Sequence, residues 1–193
     1  MINDIFILDD LIDKGRQDAI EDLMLGPSID WQFISDVALP PNELKESKLN
    51  PTPAFGVCFT DSLRKYHNAR LYNETSFIAF AATRRINFAV NDIINARSFL
   101  QLPLNDKIRK PFNNIHIDQK FDHLVCLYYV NDSDGDTHIF EGMYKEGSYL
   151  TEAKILKKVS PKKGRVVLFN GLRYHSSSCP TISTRCIINF NII

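Results

Sequence analysis

The sequence predicts a mainly β domain, with an antiparallel barrel or jelly roll in its C-terminal half and supporting helices in its N-terminal half. Three observations predict it. From Ile93 onward, short apolar or alternating runs recur at 93–102, 113–118, 122–130, 137–141, 148–159, 165–169, 174–178 and 184–192. Turn chemistry separates them, as in Asn131-Asp132-Ser133-Asp134-Gly135 and Lys162-Lys163-Gly164. About eight short strands with frequent turns fit a closed or double-sheet antiparallel architecture. The third observation is that helical periodicity is confined to the chain before Asn91. At 193 residues, and with domains of roughly 150 residues, one domain over 1–193 is expected. Residues 1–92 form its support and residues 93–193 its core.

The elements follow in order. Asp4-Ile5-Phe6-Ile7-Leu8 reads as a short strand. Ile20, Leu23 and Met24 give an i, i+3, i+4 stripe for a helix from Lys14 to Leu25, which Gly26-Pro27 ends. Trp31 to Leu39 mixes aromatic and β-branched residues and reads as a strand. Pro40, Pro41, Pro51 and Pro53 bracket a polar loop, expected near the barrel mouth. Asn73 can cap a helix to about Val90, with Ile78, Ala82, Ile86 and Ala89 on one face. In the last strand Arg185, Ile187, Asn189 and Asn191 share a partly polar face, suited to a pocket. Cys186, Ile188, Phe190 and Ile192 share an apolar one, suited to the helices.

Composition excludes several classes. Hydrophobic residues make up 44% and charged residues 24%, as in ordinary globular chains. Lys plus Arg equals Asp plus Glu, 23 each, so broad coating of a phosphate backbone is disfavoured. The apolar runs fall far short of the roughly 20 residues of a membrane span. Met1-Ile2-Asn3-Asp4-Ile5 has none of the features of a secretory signal. Cys58, Cys126, Cys179 and Cys186 form no C-x-x-C pair. They are read as reduced thiols, and the compartment as cytoplasmic.

His116-Ile117-Asp118 lies in a predicted strand, where side chains two apart share a face and can grip one ion. Alone, His-x-Asp is more often a surface pair. A third ligand could be His123, His138 or His175. Two histidines and a carboxylate form the facial triad of non-haem Fe(II) oxygenases, with open positions left. Arg185 could bind a carboxylate through its planar fork. Asp132-x-Asp134-x-Asp136 hints at calcium, but Thr137 and Met143 stand where the EF-hand loop needs Gly and an acid. Lys154, Lys157, Lys158, Lys162, Lys163 and Arg165 form a basic stretch, read as solvated faces and turns.

His116-x-Asp118, then His175, then Arg185 resembles the Fe(II)- and 2-oxoglutarate-dependent dioxygenases, most of all their prolyl-4-hydroxylase-like branch. Cys126-Leu127-Tyr128-Tyr129-Val130-Asn131 resembles that branch's strand after His-x-Asp. Gly135-Asp136-Thr137-His138-Ile139-Phe140 resembles its Gly-Gly-Glu-Thr-x-Phe element, with Asp for Gly and His for the variable residue. Pro161 to Phe169 resembles the Pro-x-x-Gly run before its distal histidine. The resemblance covers 93–192. The compact length and richness in Asn, Ile and Lys are similar to phage-encoded members.

The resemblance implies a double-stranded β-helix (jelly-roll or cupin-like) core buttressed by helices. It implies that His116, Asp118 and His175 hold Fe(II), that Arg185 holds the distal carboxylate of 2-oxoglutarate, and that Tyr129 bonds the same carboxylate, with Tyr128 one register away. It implies hydroxylation of a peptide or protein side chain of prolyl type, with succinate and CO2 released, O2 consumed and ascorbate as a reductant. Halogenating relatives lack the carboxylate, so Asp118 favours hydroxylation. The nucleic-acid demethylase branch carries Arg-x-Asn-x-x-x-x-x-Arg, which Arg185-Cys186-Ile187-Ile188-Asn189 does not match. Small-molecule oxygenation and a non-catalytic binding module are the alternatives.

Overall fold

A computed structural model describes residues 2–38, 51–104, 111–146 and 153–193. Its strands are β1 (Phe6–Leu8), β2 (Gln32–Ile34), β3 (Ala54–Thr60), β4 (Ile93–Gln101), β5 (Leu124–Tyr129), β6 (Thr137–Met143), β7 (Ile155–Val159), β8 (Val166–Asn170), β9 (Arg173–Ser177) and β10 (Arg185–Ile192). The helices are α1 (Lys14–Leu25), α2 (Ala69–Thr75) and α3 (Phe77–Arg85).

The larger sheet has the order β1-β8-β5-β10-β4-β3-β2, and the smaller has β7-β6-β9. A bridge from His116 to His175 extends the smaller sheet beyond β9. Among the described residues every pairing is antiparallel. Between the sheets lie Val125, Leu127, Tyr129, Ile139, Val167, Phe169 and Ile187. On the other face of the larger sheet, Cys126, Tyr128, Leu168, Ile188 and Phe190 pack with Ile20 and Met24 of α1, Leu71 of α2 and Ile78 and Ala82 of α3. Strand alternation therefore sends one residue set to the helices and the other inward. In β10 the division falls as the alternation predicts.

Several expectations need correction. The N-terminal half is not simply helical, because β1, β2 and β3 all join the larger sheet. β3 lies between β4 and β2 and was not anticipated. The strand expected over Trp31 to Leu39 spans only Gln32–Ile34. The buried Asp36 carboxylate accepts from the Ala38 and Thr52 amides at 2.9 and 2.7 Å, turning the chain away. The second helix starts five residues earlier, because Asn68 supplies the cap, its Oδ1 accepting from Leu71 N at 3.0 Å. Asn73 lies inside α2. α3 stops at Arg85, short of Val90, where Asn87 enters the left-handed region at φ 55°. The expected strand 113–118 is reduced to its bridge to β9. The Pro-bracketed loop lies largely outside the described residues.

Candidate metal centre

His116 and Asp118 leave the extended segment before β5 on one side, as an i, i+2 pair does. His175 sits in the middle of β9. The two histidine backbones exchange hydrogen bonds, His116 N to His175 O at 3.0 Å and His175 N to His116 O at 2.9 Å. This pairing sets the imidazole centroids 4.5 Å apart. Asp118 Oδ1 lies 3.8 Å from His116 Nε2 and 3.9 Å from His175 Nε2. One ligand atom from each residue falls within 4.8 Å of the others.

The orientation of the imidazole rings follows from their outer contacts. His116 Nδ1 lies 3.1 Å from the Asn114 carbonyl, and His175 Nδ1 lies 3.1 Å from the Arg173 carbonyl. A carbonyl only accepts, so each Nδ1 carries a hydrogen and Nε2 is the nitrogen turned toward Asp118. Burial, reinforced by His175, pushes the His116 pKa down to about 4, which keeps the ring neutral. For Asp118, burial alone would raise the pKa. Arg97, His175, His116 and a bond from Asn189 outweigh burial and hold the carboxyl well below the ordinary range. Arg97 Nη2 donates to Oδ1 at 2.6 Å, and Asn189 Nδ2 donates to Oδ2 at 2.7 Å. Two imidazoles whose Nε2 atoms face an ionised carboxylate are a donor set suited to a divalent first-row metal.

Arg185 lies deeper between the sheets and is only 3% exposed. Its Nε donates to Gly135 O at 2.8 Å, Nη1 to Gln101 Oε1 at 3.1 Å and Nη2 to Thr137 Oγ1 at 2.9 Å. Tyr129 OH donates to the same Thr137 oxygen at 2.7 Å, and its ring lies under the guanidinium at 5.7 Å. Among the described residues no carboxylate pairs with Arg185. A buried cation met only by neutral acceptors is costly unless an anion joins it, and this fits a ligand carboxylate. Gly135 makes the approach possible, since a Cβ there would stand 2.8 Å from both Arg185 Cδ and Ser178 O. The register settles the tyrosines: Tyr129 faces Arg185, whereas Tyr128 packs toward the helices.

The other candidates fall elsewhere. His138 packs on Phe112, with ring centroids 5.8 Å apart. His123 donates to Phe121 O at 2.7 Å and lies against Gly171, where a Cβ would meet Nε2 at 2.1 Å. The acidic run is no calcium loop. Asp132 accepts from Lys163 N, Asp134 from Thr181 and Ile182, and Asp136 pairs with Lys158. The basic stretch is largely neutralised: Lys154 meets Glu141, Lys162 and Arg165 meet Asp9, and Lys163 meets Asp18 and Glu21. Arg97, Gln101 and Thr137 were missed as site residues. The available signal was the alternation Asn95, Arg97, Phe99, Gln101 on one face of β4.

No family model matches the sequence, and no curated protein matches it. Solved structures do. An oxidoreductase of the 2OG-Fe(II) oxygenase family from Burkholderia pseudomallei is 10% identical, with 97% of this chain and 84% of that chain covered and a TM-score of 0.64. The prolyl hydroxylase from Trichoplax adhaerens, solved with a hypoxia inducible factor peptide fragment, is 14% identical, with 99% and 84% covered and a TM-score of 0.62. The α-ketoglutarate-dependent epimerase SnoN of nogalamycin biosynthesis is 12% identical, with 99% and 78% covered and a TM-score of 0.66. The fold is that of the 2OG-Fe(II) oxygenases. It carries both hydroxylation and epimerisation in these structures, so the reaction of this chain must be argued from its own site.

Proposed function

We propose that the protein is an Fe(II)- and 2-oxoglutarate-dependent dioxygenase that hydroxylates a peptide or protein side chain. One observation carries this reading. A centre of only three protein ligands and a buried arginine that, among the described residues, has no anionic partner both lie on the inner side of the larger sheet. A structural metal site is normally closed by protein ligands, whereas a reacting one is left open. A module that only binds a partner has no need of both features.

Each residue then has a task. His116, Asp118 and His175 hold the metal. Arg97 and Asn189 orient Asp118, and the Asn114 and Arg173 carbonyls fix the imidazole tautomers. Arg185, with Tyr129 and Thr137 beside it, anchors the distal carboxylate of 2-oxoglutarate and so orients that molecule toward the centre. Phe169 packs on the His175 ring at 5.1 Å and helps to exclude water. When bound, iron and 2-oxoglutarate supply with O2 the oxidising power that hydroxylates a substrate and releases succinate and CO2.

The peptide complex of the Trichoplax adhaerens enzyme supports a peptide substrate. The neutralised basic stretch speaks against nucleic acid. The four cysteines are free thiols, in keeping with a reducing, cytoplasmic setting. Among the described residues no helix is long and apolar enough to cross a membrane.

The test is 2-oxoglutarate turnover to succinate with Fe(II), O2, ascorbate and a broad peptide pool, with Asp118→Ala as the blank. Succinate above the blank is expected. Equal traces from an iron-loaded protein would favour a binding module.

A further inference from the structure

The inner face of β10 presents its side chains in a fixed sequence. Arg185 stands at one end, Asn189 holds Asp118, and Asn191 follows one step further on. At about 3.3 Å per residue, Arg185 and Asn189 are roughly 13 Å apart along the strand. The metal and 2-oxoglutarate of the proposed reaction belong to that interval. Asn191 lies beyond it, on the side of Asp118 away from Arg185, which is the side left for a substrate once that interval is filled. β4 runs alongside and sets Arg97 opposite Asn189 and Asn95 opposite Asn191. Opposed residues on one face of a sheet have Cβ atoms about 5 Å apart, so these four side chains form one wall.

That wall is unusually short of partners. Asn191 is fully buried, yet neither its Nδ2 nor its Oδ1 has a hydrogen-bond partner. Asn189 Oδ1, Asn95 Oδ1 and Arg97 Nε are likewise buried and unpartnered. The Asn189 orientation is not arbitrary. An ionised Asp118 only accepts, so Nδ2 faces it and Oδ1 faces away. Buried polar groups are normally paired. Asn95 and Arg97 are only half-buried, so the wall opens on the β4 side.

We propose that Asn95, Arg97, Asn189 and Asn191 form the specificity surface for the substrate, and that it takes a neutral side chain able both to donate and to accept hydrogen bonds: a primary carboxamide or an alcohol. The inference rests on the dioxygenase reading and adds the substrate's chemical class. The wall offers three oxygens that need donors and two N–H groups that need acceptors. A carboxamide brings two N–H donors and an oxygen that accepts two bonds. An alcohol brings one donor and two lone pairs. A prolyl or leucyl side chain brings none and leaves all five atoms unmet. A carboxylate would face three carbonyl oxygens, and an ammonium would sit beside the Arg97 guanidinium.

The experiment uses the iron-loaded protein with 2-oxoglutarate, ascorbate and peptides that differ only in their central residue, read by mass spectrometry for an added oxygen. Asn- and Gln-centred peptides test the carboxamide and Ser- and Thr-centred peptides the alcohol. One of these pairs should exceed Pro- and Leu-centred peptides by at least about a hundredfold, because a site built for hydrogen bonds rejects an analogue lacking them. Asn191→Leu should erase that preference. Best turnover of Pro- or Leu-centred peptides, or an unchanged preference in the variant, overturns the proposal. Succinate release in the same reactions reports on the dioxygenase reading separately. Thermal melting supplies an arm independent of any substrate. Removing an unpaired carboxamide reserved for a ligand should raise Tm by about 2–4 °C in Asn191→Leu. A fall of that size would show that Asn191 is held by the fold or by bridging water, and would also overturn the proposal.

Discussion

Arg185 is a cation buried among neutral acceptors, and its consequences can be measured one residue at a time. Arg185→Ala should weaken 2-oxoglutarate binding by about 2–3 kcal/mol, the upper part of what a hydrogen bond to a charged group contributes. Titration of Mn(II) in the same variant should change little, since Arg185 touches no metal ligand. Calorimetry of the manganese-loaded protein checks both, and an unchanged 2-oxoglutarate affinity would refute the role. Asn189 acts differently, because it donates to Asp118 Oδ2. Loss of such an orienting partner typically costs about 10–100-fold in metal affinity, so Asn189→Ala should bind Co(II) that much more weakly. An affinity within twofold of wild type would show that Arg97 alone orients the carboxylate. His116, Asp118, His175 and Arg185 were legible in the sequence because short motifs occur there in a fixed order. Arg97 was not, because a lone arginine in a strand reads as solvent-facing until its partner strand is known.

Elements decide whether those residues meet. The β5–β6 turn brings Gly135 against Arg185, and the space is already full. Gly135→Ala should therefore destabilise the fold by about 1–3 kcal/mol through overpacking. It should also weaken 2-oxoglutarate binding, because Arg185 Nε donates to the Gly135 carbonyl. Urea unfolding together with the calorimetry above tests the pair of effects; unchanged stability would show that Ser178 and Pro180 give way freely. The same elements show what a sequence conveys. Strands from Ile93 onward were legible because turn residues punctuate them. β3 was not, because Pro51 and Pro53 precede it and its run is short and mostly apolar. Its place between β4 and β2 is a long-range pairing that local pattern does not encode. Asn68 and Asn73 are equally good caps by type, and the choice between them follows from where α2 packs Leu71 into the core.

The whole molecule is fastened at its periphery by carboxylates whose ionisation supports the fold. Asp9, just after β1, receives both Nε and Nη2 of Arg165, just before β8, at 2.7 and 2.9 Å. The Arg165 hydrogen bond, opposed next by burial and reinforced by the charges of Arg165 and Lys162, lowers the Asp9 pKa to about 2. Asp134 ties the β5–β6 turn to the segment before β10. Burial there acts upward, but bonds from Thr181 and Ile182 outweigh it and bring the pKa to about 2. Both groups are lower in the folded chain than the 3.8 of an unstructured aspartate. Their contribution is therefore complete above that value and disappears as pH falls toward 2, where the folded form also takes up the proton. The urea midpoint of the wild type should accordingly drop between about pH 4 and pH 2. Asp9→Asn removes one of the two titrations. It should be less stable than wild type at pH 6, and it should lose less on acidification, so that the two proteins converge near pH 2. Parallel curves across that range would mean that the Asp9–Arg165 pair, although bidentate, contributes nothing to stability through its charge, as many surface pairs do not.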